Sequence, residues 1–592
     1  MTDFRKHVSA DAAANIEKWL REPKYSEYKT ELEQMITAQR WQELEDSFFK
    51  VIEFGTAGRR GVTGVGSNRI NRVTIGESAQ ALCEYARRAD ANAPEKGVVI
   101  ACDTRLSSPE LSRYTASVCA GNGFKTYIFD DFRATPELSF AVRELEAAIG
   151  IVISASHNPP ADNGFKAYWS DGAQLAAPHD TGVLSVAEEI TDIHSVDFNE
   201  AVHDGRIVRI GKDVDEAYIN AVLTQAEGEA RDLKIVYSPL HGAGQTNVLP
   251  TLRGVGFKDI VLVEEQMAPD GNFPTVENGK PNPQERAANK QAVRLMHETQ
   301  ADIAITNDPD ADRLGVMVRE GDGTIYLTGN QSYVLAADYS LAKLQEKGQL
   351  TPEHYLVNTF VTTDMGKAIA EHYSVMCYAN LPVGFKYIGA LIREKESTNE
   401  IFVFGGEESY GGLKGDYARD KDGASAALPM AEYAAELKQH GKTLYDRLLE
   451  LYAQHGVYVE RMDNIDCPGA DGFTEMRNMM RQLRESPPRQ IGEQDVTAVL
   501  DYKTLERRDL KTGDITLIDS IANDTVALEL GDRRRRLIVR PSGTEPKMKI
   551  YGMWYESVTS KDPIRVAEQY ATIDARVAVL AQQLEVGLRS VG

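Results

Sequence analysis

The chain has 592 residues, too many for one hydrophobic core and enough for roughly three to five domains. Hydrophobic residues make up 42% and charged residues 26%, which is ordinary for folded globular proteins and excludes a wholly disordered chain. A net charge of -23 sets the surface against nucleic acid and acidic membranes, so any anionic ligand must be held by a local cluster of cations.

The amino-terminal stretch has no signal-type apolar core, and no apolar run approaches membrane length. A cytoplasmic location is the expectation. Cys83, Cys102, Cys119, Cys377 and Cys467 form no C-x-x-C pair and several sit in apolar runs, so they read as buried free thiols in a reducing compartment.

From Asp11 to about Lys50 the spacing predicts two amphipathic packing helices, with a break at Arg21-Glu22-Pro23-Lys24. The stretch Phe54-Gly55-Thr56-Ala57-Gly58-Arg59-Arg60-Gly61 follows. Its glycines allow close backbone approach and its arginines can meet a phosphate, although glycine-rich loops are common.

The chain then repeats one plan three times, each unit having three strands and ending in a polar loop. The first has strands at 97–102, 126–129 and 149–153 and ends at Ser154-Ala155-Ser156-His157-Asn158-Pro159. The second has strands at 234–237, 260–263 and 303–305 and ends at Asn307-Asp308-Pro309-Asp310. The third has strands at 355–357, 375–378 and 401–404 and ends at Gly406-Glu407-Glu408-Ser409. Three mixed α/β domains would each present one loop from an equivalent place, and a cleft between them could gather all three. After about Gly456 the chain becomes more charged, with short alternating segments that read as a fourth, α+β domain.

Asp308, Asp310 and Asp312 stand at alternate positions, able to face one hard cation. An EF-hand would need Gly and Glu where Arg313 and Arg319 stand, so that reading fails. Three aspartates beside Arg313 suit a metal that bridges to a phosphoryl group, and Ser156 as its carrier would unite the first and second loops. A hydrolase serine is the competing use. No G-x-S-x-G surrounds Ser156, and the adjacent His157 is expected to be poorly placed as its base. Glu407 and Ser409 offer acceptors for sugar hydroxyls. Gly384-Phe385-Lys386 and Asp420-Lys421-Asp422-Gly423 add cations in the same unit. Arg540, Ser542, Gly543 and Thr544 read as a phosphate cradle. The run Arg533 to Arg536 reads as a solvated strand or turn and is left outside the site.

Together these motifs resemble, in order along the chain, the α-D-phosphohexomutase superfamily of phosphoglucomutases and phosphomannomutases. The Trp19-Leu20 helix ahead of Glu53-Phe54-Gly55-Thr56-Ala57-Gly58 is similar to the branch of long bacterial phosphoglucomutases and eukaryotic glucomutase-2/phosphopentomutase proteins. The resemblance implies three similar mixed α/β domains plus a C-terminal α+β domain around a central cleft. The expected divisions are a helical extension at 1–50, a phosphoserine-loop domain at 51–215, a metal-loop domain at 216–325, a sugar-loop domain at 326–455 and a phosphate-loop domain at 456–592.

It implies that Ser156 carries the phosphoryl group and that Asp308, Asp310 and Asp312 bind one Mg²⁺ per chain with it. Arg60, His157, Lys166 and Arg313 would surround the group in transit, with His157 and Lys166 the acid/base candidates. Thr56, Gly384, Lys386, Glu407, Ser409 and Lys421 would bind substrate. The Arg540, Ser542, Gly543 and Thr544 loop would hold the non-reacting phosphate. The activity implied is interconversion of glucose 1-phosphate and glucose 6-phosphate, with glucose 1,6-bisphosphate as intermediate and activator. Pentose or mannose phosphates, bisphosphate synthesis and, more remotely, a non-catalytic sugar-phosphate sensor are the alternatives. The partners implied are small sugar phosphates, with neither nucleic acid nor membrane, and a monomer or weak homodimer is expected. Ser154 and Pro309 stand where the family more often has Thr and Gly, and neither change removes a chemical group from the site.

Overall fold

A computed structural model describes residues 3–53, 58–467, 472–542 and 547–589. The amino-terminal extension is built from three α-helices, Ala10–Arg21, Lys29–Thr37 and Trp41–Phe48, with a 3-10 turn at Pro23–Tyr28. The sequence suggested two. The extra break falls where Gln39 turns left-handed (φ 57°), between the second and third helices. Ile16, Trp19, Leu32, Met35, Leu44 and Phe48 form its own small core, in which Trp19 stacks on Tyr25 at 4.4 Å.

Three sheets then repeat one topology. In each, the first strand of the unit lies between the second and the third, all three parallel, and an antiparallel strand follows the third. The third strands are Ile149–Ile153, Ile303–Asn307 and Ile401–Gly406. Their antiparallel followers are Asp162–Trp169, Leu314–Glu320 and Gly412–Lys414. These followers are absent from the sequence-based expectation: Asp162–Trp169 mixes polar and apolar residues and Gly412–Lys414 is only three residues long, whereas the apolar run at 314–318 simply goes unread as a strand. Ile149–Ile153 and Ile303–Asn307 are buried throughout, as parallel strands covered on both faces must be. The first sheet gains Gly58–Val62 at one edge and Ile207–Ile210 at the other.

The reversal from the third strand to its antiparallel neighbour produces a short connection at the same place in each domain. Those connections hold Ser156, Asp308 to Arg313, and Glu407 to Ser409. The repeat therefore does more than set the fold: it aims three loops at one cleft.

The last sheet is antiparallel, running in the order Val457–Asp466, Lys547–Glu556, Asp532–Pro541, Val526–Leu530, Gln494–Asp501, Glu506–Asp509 and Ile515–Leu517. The helix Pro563–Arg589 buries Val566, Ile573, Val577, Leu580, Leu584 and Leu588, a stripe at helical spacing. Among the described residues no helix is long and apolar enough to cross a membrane. Cys83, Cys102, Cys119 and Cys467 are buried and Cys377 is half-buried; all five are free.

Candidate active site

Ser156 sits at the tip of the first connection with φ 51°, a left-handed turn, and is 2% exposed. Its amide donates to Ser154 Oγ at 2.8 Å, which pins the turn. Its hydroxyl donates to Asp308 Oδ2 at 2.6 Å, across 152 residues of chain. The same Oγ lies 3.1 Å from His157 Nδ1. The left-handed turn lets the ring fold back to the hydroxyl, although the hydroxyl donates to Asp308 and not to the imidazole. Burial, then the charges of Arg313 and Arg60, hold the imidazole well below its ordinary pKa and so neutral at pH 7.

Sequence reasoning missed the support of this loop. Arg105, 1% exposed, donates to the carbonyls of Ser156 (2.6 Å), Asn158 (2.5 Å), Pro159 (2.7 Å) and Asp162 (2.9 Å), and pairs with Asp103 at 3.2 Å. One guanidinium thus satisfies the carbonyls of a tight turn that has no strand partner. An isolated arginine after a buried strand carries no sequence signal for such a role.

Asp308, Asp310 and Asp312 are all buried, each offering an oxygen within 4.8 Å of the others. Burial and the charges of Asp312 and Asp310 push the Asp308 carboxyl well above its usual range. Burial would raise Asp310 too, but Lys166 outweighs it and holds that carboxyl well below its usual range. Asp310 Oδ1 and Asp312 Oδ1 are buried and have no hydrogen-bond partner. Three converging carboxylates with two orphaned oxygens fit a hard divalent cation, which takes oxygen ligands of this kind.

Cations lie close to them. Lys166 pairs with Asp310 and stands 3.5 Å from Asp312. Arg313 lies 3.9 Å from both Asp308 and Asp312, and its amide donates to Asp308 Oδ1 at 3.0 Å. Arg60 is exposed on the strand Gly58–Val62, with Nη1 3.5 Å from Asn158 Oδ1. Thr135, also missed, donates its hydroxyl to Asp310 Oδ2 at 2.8 Å and its amide to the Asp310 carbonyl, tying the first domain to the acidic loop.

The third loop is joined directly to the second. Arg313 and Gly411 form an isolated antiparallel bridge, and the Leu314 amide donates to the Tyr410 carbonyl at 2.9 Å. A side chain at Gly411 would meet Lys421 Cδ at 2.2 Å, so glycine makes room for that lysine's stem. Lys421 reaches Asp312 at 2.9 Å and Asp420 at 3.1 Å, and thereby stands between the acidic triplet and the Glu407 loop. Glu407 is 4% exposed and accepts the Gly384 amide at 2.9 Å. Burial pushes its carboxyl up to about 7, partly offset by Lys421. Ser409 is half-buried in the same loop. Lys386 pairs with Asp180 of the first domain at 3.1 Å, both side chains being buried.

Arg540 and Ser542 lie at the end of the strand Asp532–Pro541, with the Ser542 amide bonded to the Lys547 carbonyl. Lys549, a further residue missed in the sequence, faces Arg540 directly across the strand pair. Its ammonium is held below its usual pKa by burial, with Arg540, Arg313 and Lys547 adding to the effect and Glu408 opposing it. Thr56, Gly543 and Thr544 lie outside the described residues.

Models of the α/β/α domains I, II and III of phosphoglucomutase/phosphomannomutase match residues 51–194, 216–321 and 328–455. The chain belongs to the phosphoglucomutase/phosphomannomutase family. A phosphoglucomutase of Staphylococcus aureus (strain MRSA252) is 35% identical over 513 residues, covering 86% of this chain and 90% of that one. Two solved family structures share the fold. One is a putative phosphomannomutase of Thermus thermophilus, with TM-score 0.62 and 22% identity over 89% of this chain and 99% of that one. The other is the open form of the Paramecium phosphoglucomutase pp63/parafusin, with TM-score 0.61 and 17% identity over 90% and 98%. The family is one of enzymes that move phosphoryl groups on sugar phosphates.

Proposed function

We propose that this protein is a phosphoglucomutase that interconverts glucose 1-phosphate and glucose 6-phosphate through phospho-Ser156 and glucose 1,6-bisphosphate. The observation that carries the reading is the Ser156 hydroxyl bonded to Asp308 within a buried aspartate triplet, ringed by Lys166, Arg313 and Lys421. The Staphylococcus relative named phosphoglucomutase supports the choice of sugar.

Phospho-Ser156 transfers its phosphoryl group to the 6-hydroxyl of glucose 1-phosphate: the Ser Oγ–P bond breaks as the sugar O–P bond forms. The hydroxyl proton passes to His157 or Lys166. The bisphosphate turns over in the cleft, and its 1-phosphate goes to Ser156 Oγ, leaving glucose 6-phosphate. Arg60, Arg313 and Lys166 hold the equatorial oxygens in transit, Glu407 and Ser409 take sugar hydroxyls, and Arg540, Ser542, Gly543 and Thr544 hold the phosphate that is not reacting. Thr56, Gly384 and Lys421 complete the sugar site, and Lys386 contributes by anchoring the Gly384 turn to Asp180. Asp308, Asp310 and Asp312, with Ser156, would hold one Mg²⁺, which would neutralise charge on the phosphoryl oxygens. The five segments 1–50, 51–215, 216–325, 326–455 and 456–592 are the corresponding functional units, working in the cytoplasm on small sugar phosphates.

The test is turnover and intact mass of the Ser156→Ala variant after incubation with glucose 1,6-bisphosphate. Wild type gains one phosphoryl group and converts glucose 1-phosphate; the variant does neither. Near-normal conversion by the variant would sink the reading. A substrate panel that includes ribose and mannose phosphates decides the sugar.

A further inference from the structure

Arg533, Arg534 and Arg536, from a run that by sequence is no more than a solvated strand or turn, line a second cavity outside the cleft. This cavity, about 460 Å³, lies between the helix Met365–His372 of the third α/β domain and the outer part of the C-terminal sheet. Its size falls within the range of small-molecule sites, about 300–1,000 Å³. Five cations line it: Lys367 on the helix side, and Arg507, Arg533, Arg534 and Arg536 on the sheet side. Three carboxylates, Asp364, Glu371 and Glu529, accompany them. In a chain of net charge -23 this local excess of positive charge is against the trend.

The carboxylates meet only part of the need. Lys367 is 3.2 Å from Asp364, Arg536 pairs with the same carboxylate, Arg507 pairs with Glu529 at 2.7 Å, and Arg534 pairs with Asp532 at 3.0 Å and lies over the Tyr555 ring at 3.6 Å. Arg533 is exposed with no partner among the described residues, and Arg536 keeps a buried Nε without an acceptor although the residue is 9% exposed. Between the cations the walls are apolar: Tyr458, Leu500, Leu517 and Ile518, with Leu517 85% exposed and covered by nothing in the fold. Cations at two walls and an uncovered apolar surface between them describe a ligand with a doubly anionic head and a ring-bearing or apolar body.

We propose that this cavity is a regulatory binding site for a phosphate ester of the nucleoside-diphosphate type, distinct from the sugar-phosphate cleft. Its location gives binding a consequence. Arg536 and Arg540 are on one strand, four residues and roughly 13 Å apart, so one end lies in this cavity and the other in the phosphate cradle. A ligand that bridges Lys367 to the arginines fastens the third domain to the fourth and thereby sets where Arg540 stands.

The test is calorimetric titration of the full chain with ADP, beside pyrophosphate, which has the anionic head without the body. Three proteins are compared: wild type, Lys367→Glu/Arg533→Glu, and the cleft variant Arg540→Ala. Wild type and Arg540→Ala are expected to bind ADP alike, with pyrophosphate weaker. The double variant should bind about 100-fold more weakly, one factor of ten for each charge-assisted hydrogen bond removed. An unchanged unfolding midpoint, or the milder Lys367→Gln/Arg533→Gln pair, guards against simple misfolding. No ADP binding by wild type, equal binding by the double variant, or a loss of binding in Arg540→Ala instead would each overturn the proposal.

Discussion

The guanidinium of Arg105 donates to the carbonyl of Ser156 at 2.6 Å from beneath the loop, out of contact with solvent. Ser156 is therefore held from its backbone side by one residue and from its hydroxyl side by Asp308 at 2.6 Å. Left-handed backbone at a non-glycine residue persists only where its surroundings over-determine it, and Arg105 is what does so here.

Arg105→Lys should give up most of the four hydrogen bonds to loop carbonyls while keeping a charge for Asp103, whereas Arg105→Ala leaves Asp103 buried and uncompensated. The alanine variant is expected to lose about 3–5 kcal/mol of stability, the usual result of removing one partner of a buried pair. The lysine variant should lose less stability but still phosphorylate Ser156 more slowly. Denaturant unfolding and the rate of phosphoserine formation by mass read the two effects separately.

A divalent ion at the aspartate triplet relieves repulsion among buried carboxylates, so it must stabilise the folded chain. Mg²⁺ at about 100 times its dissociation constant should add about 2.7 kcal/mol to unfolding. Asp310→Asn should abolish that increment, lower the metal-free stability because the buried Lys166 loses the charge it pairs with, and remove turnover. Thermal unfolding with Mg²⁺ or EDTA is the measurement, and an Mg²⁺ increment surviving in the variant would place the ion elsewhere.

Arg540 and Lys549 are like charges facing each other across paired strands, an arrangement that costs stability on its own, by about 0.2–1 kcal/mol. An anionic substrate repays that cost. Lys549→Met is thus expected to unfold no more easily than wild type, yet to raise KM for glucose 1-phosphate about tenfold. A variant that is both less stable and normal in KM would contradict a phosphate-holding role.

Glu407 titrates at about 7, so it is mostly neutral at pH 6 and mostly charged at pH 8. A charged carboxylate is the stronger acceptor for sugar hydroxyls. KM should therefore fall as pH rises through 7, and Glu407→Gln should flatten that part of the profile. The ratio of the two KM curves cancels titration of the substrate phosphate.

Asp422 bears on stability. Burial pushes its carboxyl up to about 6, although the Tyr218, Tyr417 and Ala424 donors oppose the rise. The folded state then holds a proton between about pH 4 and 6 that the unfolded chain has released, so this group's contribution to stability falls as pH rises through that window. The full loss, on the order of 2–3 kcal/mol, is reached above pH 6. Asp422→Asn should be less dependent on pH between 4 and 7 in denaturant unfolding than wild type.

The sequence by itself determined the three-fold plan and its chemistry. Short apolar runs such as Ile149–Ile153, rich in β-branched residues, suit strands covered on both faces, and each led straight into Ser156, Asp308 or Glu407. Alternation of Asp308, Asp310 and Asp312 made all three able to face one cation, and the structure brings an oxygen of each within 4.8 Å of the others. Tertiary structure decided what depends on distant partners. Lys386 turned to Asp180, Arg105 took the loop carbonyls, Lys549 came opposite Arg540, and His157 folded back onto Ser156 through a left-handed turn. None of these follows from spacing along the chain, since each arises where separate segments are packed into contact or where a backbone angle departs from the common regions. The serine and its aspartates were written locally; the supports that make them a site were not.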